Sequence, residues 1–175
     1  MKIVIENSTS YRGRNARPNW LALLAFIALA LAAGAIGLFF SPARSAAAAA
    51  WYAALPKPPW IVPASWFGPV WTALYALMGI AGWLVSRERY HRKRDVALVA
   101  YGVQLALNAL WAPLFFGLQN AGAGLFDIVA LWLAIGWTIR EFFAVRPAAA
   151  WLLIPYLLWV SFATALNFSI WHLNQ

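Results

Sequence analysis

Five apolar runs, each about 20 residues long, leave this chain little choice of surroundings. They lie at roughly 20–40, 66–86, 96–116, 121–139 and 149–171 and take up most of the 175 residues. A helix rises about 1.5 Å per residue, so each run matches the hydrocarbon thickness of a bilayer. A soluble domain of this size could not hide a sequence that is 64% hydrophobic and 10% charged. Membrane barrel strands would appear as short alternating segments, and these runs are too long and too evenly apolar for that. The expected fold is all-α, an integral membrane bundle of five transmembrane helices over 19–172. A polar basic tail covers 1–18, and a Trp- and Pro-rich loop covers 41–65. The first run follows a basic segment, as in a signal peptide, but it exceeds the about 7–15 residues of a signal's apolar core. A retained helix is expected. No internal repeat of the transporter kind is visible.

The charge pattern orients the bundle. Lys2, Arg12, Arg14 and Arg17 precede the first run, Arg87, Arg89, Arg92, Lys93 and Arg94 follow the second, and Arg140 and Arg146 follow the fourth. Only Arg44 and Lys57 fall in the alternate segments, so the split is eleven basic residues against two. Positive residues stay inside, which predicts a cytoplasmic N-terminus and an external C-terminus; a bacterial cell membrane is the expected location. The net charge of +8 is then topogenic, and the run RERYHRKRD meets lipid headgroups rather than nucleic acid. Cysteine is absent, which excludes disulfides and thiolate chemistry.

Polar residues inside the spans are few: Gln104, Asn108, Asp127 and Asn167. Helical rise places Gln104 ~18 Å, Asn108 ~12 Å, Asp127 ~9 Å and Asn167 ~6 Å from the external end. Gln104, Asn108 and Trp111 share one helix face, and Trp159, Ala163 and Asn167 share another. Two readings fit this spacing: amides that glue helices together, or amides beside indoles in a ligand pocket. Asp127, near a helix start, is expected to favour the helix dipole and snorkel towards water. Pro69, Pro113 and Pro155 fall within the runs, so kinks are expected there. Trp20, Trp83 and Trp171 read as an aromatic belt at the membrane surface.

The loop is unusual. WYAALPKPPWIVPASW, from Trp51 to Trp66, holds three Trp, one Tyr and four Pro. Helix connections are usually about 2–8 residues, and this one runs over 41–65. Its prolines limit the conformations of the free chain, so it can hold a shape without regular structure. An aromatic belt needs no such stiffening, whereas a cover over the bundle's external mouth does.

Four stretches, WYAALPKPPW (51–60), GPVWTALYALMG (68–79), QLALNALWAPLFFG (104–117) and PYLLWVSFATALNFSIW (155–171), carry a specific likeness. In order and spacing the chain resembles the translocator protein family, also called tryptophan-rich sensory proteins or peripheral benzodiazepine receptors. The resemblance implies a homodimeric five-helix receptor or sensor that binds porphyrins, haem and isoquinoline-like compounds beneath the first loop. The positions that match the family's pocket are Trp51, Tyr52, Trp71, Gln104, Asn108, Trp159, Ala163 and Leu166. Bacterial relatives degrade porphyrin in light, and the two indoles tied to that activity match Trp71 and Trp159. Three features depart from the pattern. The Tyr and Arg of the vertebrate cholesterol motif are Phe168 and His172 here, so sterol binding is not expected. The loop's Pro-Pro-x-Trp becomes Val62-Pro63-Ala64-Ser65 before Trp66, and a Trp common in animal members is Ala123.

Function classes can be weighed against this inventory. No nucleophile–base pair or carboxylate pair lies at depth, so hydrolytic and acid–base catalysis are not expected. Light-driven porphyrin oxidation is the enzymatic alternative, because the ligand itself supplies the excited state. Transport of porphyrin or sterol is the second alternative, though no buried charge relay is visible. His91 and His172 are the only histidines and both lie outside the runs, so haem would bind without an axial His. No cofactor is obligatory and no metal site is expected.

Overall fold

The computed structural model describes residues 19–175. The tail over 1–18, with its four basic residues, lies outside the described residues. Six α-helices form among the described residues: α1 (Trp20–Phe40), α2 (Ala46–Ala54), α3 (Phe67–Ser86), α4 (Arg94–Ala112), α5 (Ala121–Val145) and α6 (Pro147–Leu173). Five are long and apolar enough to cross a membrane, with α3 and α4 each extended by a short irregular turn. The spans close into a ring in the order α1, α3, α6, α5, α4, each packed on the next.

Hydrocarbon offers no hydrophobic force between helices, so close packing has to hold them. The α1–α3 seam shows how. A Cβ added at Gly79 would lie 2.6 Å from the Ile27 Cα, and one at Gly82 would lie 2.8 Å from the Phe26 ring. Gly34 meets the Tyr75 ring just as tightly. Helix ends are satisfied locally. The Asn19, Ser45 and Asn120 side chains accept from the N–H groups of Ala22, Ala48 and Ala123, and Pro147 opens α6, where no N–H is needed.

Several expectations change. The 41–65 segment is not wholly irregular, because Ala46–Ala54 is helical and Ala64–Trp66 forms a 3₁₀ turn. Alanine has the highest helix propensity, Ser45 caps the start, and Pro56 stops the helix by forcing Leu55 extended. The fourth span does not end at 139. It runs to Val145, and Arg146 alone turns the chain into α6. Glu141 and Phe142 are buried, so the helix gains by continuing. Pro69 sits in the first turn of α3 and need not kink it. Pro113 instead opens a π-helical turn, Pro113–Gly117, that ends α4. Trp83, expected in the aromatic belt, faces protein rather than open surface. It is buried, with the Arg87 guanidinium 4.9 Å from its ring centroid. Asp127 is 3% exposed and does not snorkel, because Gly124, Asp127, Ile128 and Leu131 form the inward stripe of α5.

The two ends of the bundle differ. One end carries the 87–95 turn and Arg146, joined by a 2.7 Å ion pair between Arg146 and Glu88. The other carries α2, the 118–120 turn and the end of α6. We refer to them as the basic end and the aromatic end.

Candidate ligand site

The sequence-matched residues gather in the aromatic half of the bundle, on three levels. At the rim, the Trp51 ring meets Phe115 edge-on at 5.4 Å, and Tyr52 meets Phe116 at 5.5 Å. Lys57 Nζ lies 4.6 Å from the Tyr52 ring centroid, and burial pushes the Tyr52 phenol above its ordinary pKa. Phe115 stacks on Trp111 at 5.0 Å. Trp111 Nε1 donates to Asn167 Oδ1 at 3.0 Å, and Asn167 Nδ2 donates to the Ala121 carbonyl at 2.8 Å. Leu166 packs in this same ring cluster.

One level deeper, Trp71 stacks on Tyr75 at 5.4 Å and meets Tyr156 edge-on. The Tyr75 hydroxyl donates to Asn108 Oδ1 at 2.8 Å, and Asn108 Nδ2 donates to the Tyr156 oxygen at 2.9 Å. One buried amide thus ties α3, α4 and α6. Across the same α3–α6 seam, Trp159 packs between Phe67 and Phe162, and half-buried Ala163 follows one turn later. The Trp159 indole N–H is buried without a partner.

Gln104 lies deepest. It is 1% exposed, and neither its amide nitrogen nor its oxygen has a partner. Leaving such a group unpaired costs about 1–3 kcal/mol. The two amides on α4 therefore part company: Asn108 is bound to protein on both sides, and Gln104 is not. Asp127 Oδ2 and the Tyr101 hydroxyl are likewise buried without partners.

Two openings lie at the aromatic end. One, of ≈ 240 Å³, is lined by Trp51, Leu55, Gln119, Asn120 and Trp171 among others. The other, of ≈ 360 Å³, runs between Lys57–Pro59 and the last turns of α6. Neither is lined by Trp71, Gln104, Asn108, Trp159 or Ala163. Among the described residues no group of three or more metal-ligating side chains forms.

Sequence reasoning did not single out Tyr75, Tyr156, Phe67, Phe115 or Phe162. A signal was present: Tyr75 follows Trp71 by one turn and Tyr156 precedes Trp159 by nearly one, so each phenol shares a face with a named indole.

Comparisons with known proteins show the family. The sequence profile of the TspO/MBR family matches residues 20–172. The "Tryptophan-rich protein TspO" of Chlorobaculum tepidum is 44% identical over 156 residues, covering 88% of this chain and 96% of that protein. "Protein CrtK" of Rhodobacter capsulatus is 42% identical over 151 residues, covering 85% and 89%. The human "Translocator protein" is 42% identical over 127 residues, covering 71% and 75%. A profile match across all five spans, with relatives this similar over most of both chains, makes the protein a multi-pass membrane protein of the TspO/MBR family.

Proposed function

We propose that the protein is a receptor- or sensor-type membrane protein that binds tetrapyrroles, porphyrin or haem, inside the aromatic half of the bundle. Isoquinoline-like rings would share the site. The observation that carries this reading is the Gln104 amide, buried with both atoms unpaired beneath a column of stacked rings. A flat macrocycle suits ring side chains, and its pyrrole N–H or nitrogen groups suit an amide that both donates and accepts. The Trp159 N–H offers a second donor on the facing helix. No histidine lies in the bundle interior, so haem would be held by its faces and edges rather than through its iron. Trp51 and Tyr52 close the rim and must move for a ligand to enter.

The proposed orientation follows from charge, with the basic end and N-terminus cytoplasmic and the aromatic end outside; a homodimer in a bacterial cell membrane is the assembly that the family likeness supports. A cysteine placed at exposed Ala46 checks the orientation. It should react with an impermeant reagent in intact cells, and labelling only after permeabilisation would reverse the assignment.

One observation favours a second reading, light-driven porphyrin oxidation. Trp71 stacks on Tyr75, which is hydrogen-bonded through Asn108 to Tyr156, so an oxidisable indole adjoins two linked phenols. Both readings meet in one experiment. Protoporphyrin IX, haem and cholesterol are titrated side by side against Trp fluorescence, and the porphyrin sample is then illuminated. Saturable quenching by the two tetrapyrroles but not by cholesterol is expected, and its absence defeats the binding reading. Phe at both 71 and 159 should bind porphyrin nearly as well yet bleach it only at the rate seen in detergent. Bleaching at the parent's rate would remove the enzymatic reading and leave binding intact.

A further inference from the structure

The crevice of ≈ 360 Å³ between the 57–59 strap and α6 lies apart from the ring column, and it is lined by Lys57, Pro58, Pro59, Phe168, Ser169, His172 and Leu173. That volume is within the range of small-molecule sites, about 300–1,000 Å³. Four of its seven lining residues are apolar, and Lys57, Ser169 and His172 supply the polar side chains. Lys57 Nζ donates to the Leu55 carbonyl at 2.8 Å and faces the Tyr52 ring, so it is held in place. Among the described residues it has no carboxylate partner. The described carboxylate side chains are Glu88, Asp95, Asp127 and Glu141, and both salt bridges, Arg94–Asp95 and Arg146–Glu88, sit at the basic end. Asp127 is buried within α5. Lys57 thus stands beside the crevice as a fixed cation with no carboxylate within ion-pair distance among the described residues. Beside it the His172 ring stacks parallel on Phe168 and makes no hydrogen bond among the described residues.

We propose that this crevice binds an anionic amphiphile, its carboxylate or phosphate on Lys57 and His172 and its apolar body along Pro58, Pro59, Phe168 and Leu173. Charge-assisted hydrogen bonds are about twice as strong as neutral ones, so the head fixes the position while the body supplies apolar burial. The inference does not rest on tetrapyrrole binding, since no residue of the crevice belongs to the ring column. A free amphiphilic acid and an anionic lipid headgroup offer the same chemistry, and the test separates them.

The chain has two histidines, so ¹³C-labelled imidazole signals in nanodiscs report His172 directly once His91→Gln has assigned them. In discs of zwitterionic lipid, decanoate should shift the His172 signal saturably and decanol should not. Lys57→Gln should weaken decanoate by at least about tenfold, and Lys57→Arg, which keeps the charge, should restore it to within about threefold. In discs containing phosphatidylglycerol, a His172 signal already shifted and insensitive to decanoate identifies a lipid headgroup as the occupant. An unshifted signal that still responds identifies a free acid. Equal shifts with decanol and decanoate, or parent-like binding by Lys57→Gln, would overturn the proposal. Should Lys57→Gln fail to fold, the decanol arm and the Lys57→Arg variant decide the matter alone.

Discussion

Two seams of the same helix behave in opposite ways. On one side α3 meets α1 through Gly79, Gly82 and Gly34, where backbone and ring edges approach so closely that a single methyl group has no room. On the other side α3 meets α6 through rings, with Trp71 on Tyr156 and Phe67 on Trp159, and through the hydrogen bonds of Asn108. Backbone-to-backbone contact cannot yield without moving a whole helix. Rings can change rotamer, and an interior walled with them can exchange one ring for another. The contrast bears on where the proposed ligand would enter: the glycine seam leaves no room, whereas the ring seam can adapt.

The largest effect should come from breaking the fixed seam. Gly79→Leu drives a side chain into the Ile27 backbone. We expect a loss of at least about 3 kcal/mol, or roughly 6–12 °C in Tm for a chain of this size, by thermal unfolding in detergent. A Tm within about 2 °C of the parent would show that α1 shifts freely and that the seam is not rigid. A smaller effect on stability, and a larger one on binding, should follow Ala163→Phe. Its half-buried site adjoins Trp159 on the adaptable side, so the protein should fold while porphyrin affinity drops at least about tenfold, or about 1.4 kcal/mol. An unchanged titration would place the ligand elsewhere. The smallest change in stability should follow Gln104→Leu. Removing an amide that has no partner should leave Tm unchanged or raise stability by up to about 1 kcal/mol, yet weaken porphyrin binding. Asn108→Leu sharpens the point. It strands the Tyr75 and Tyr156 hydroxyls and should cost about 1–3 kcal/mol with no ligand present. Equal losses from the two Leu variants would mean that Gln104 has a partner in the folded protein.

The five spans are legible in the sequence because the bilayer sets their length and composition, and nothing else in the chain imitates them. Boundaries are less legible. The end of α5 is decided by Glu141 and Phe142 turning inward, a tertiary preference that a charged Arg-Glu pair disguises as a loop. The helix Ala46–Ala54 was open to local reasoning, since Ser45, an alanine run and Pro56 are a cap, a body and a stop. Length hid it, because nine residues are too few to span a membrane. Within the site, spacing alone puts Gln104 and Asn108 on one face. It cannot say that two tyrosines from other helices would claim Asn108 and leave Gln104 alone. That division depends on which residues of α3 and α6 reach the same depth, a property of the assembled ring.

The turn at Arg146 has a mechanical consequence. A single residue joins α5 to α6, and the Arg146–Glu88 pair clamps that corner to the α3–α4 turn, whereas α1 and α3 are joined at the opposite end by a long strap. The two ends are therefore linked differently: the base has a one-residue corner with its ion pair, and the lip has the long strap beside the 118–120 turn and the Asn167–Ala121 hydrogen bond. The 25 residues of α5 form a lever about 37 Å long. A tilt of about 5° about the pinned corner displaces the far tip by about 3 Å, close to the 3.5 Å at which stacked carbons touch. A rotation smaller than the ordinary scatter of helix crossing angles thus opens a slot one flat ring thick. Spin labels across the lip should separate by that much when porphyrin binds, while labels across the base hold their distance.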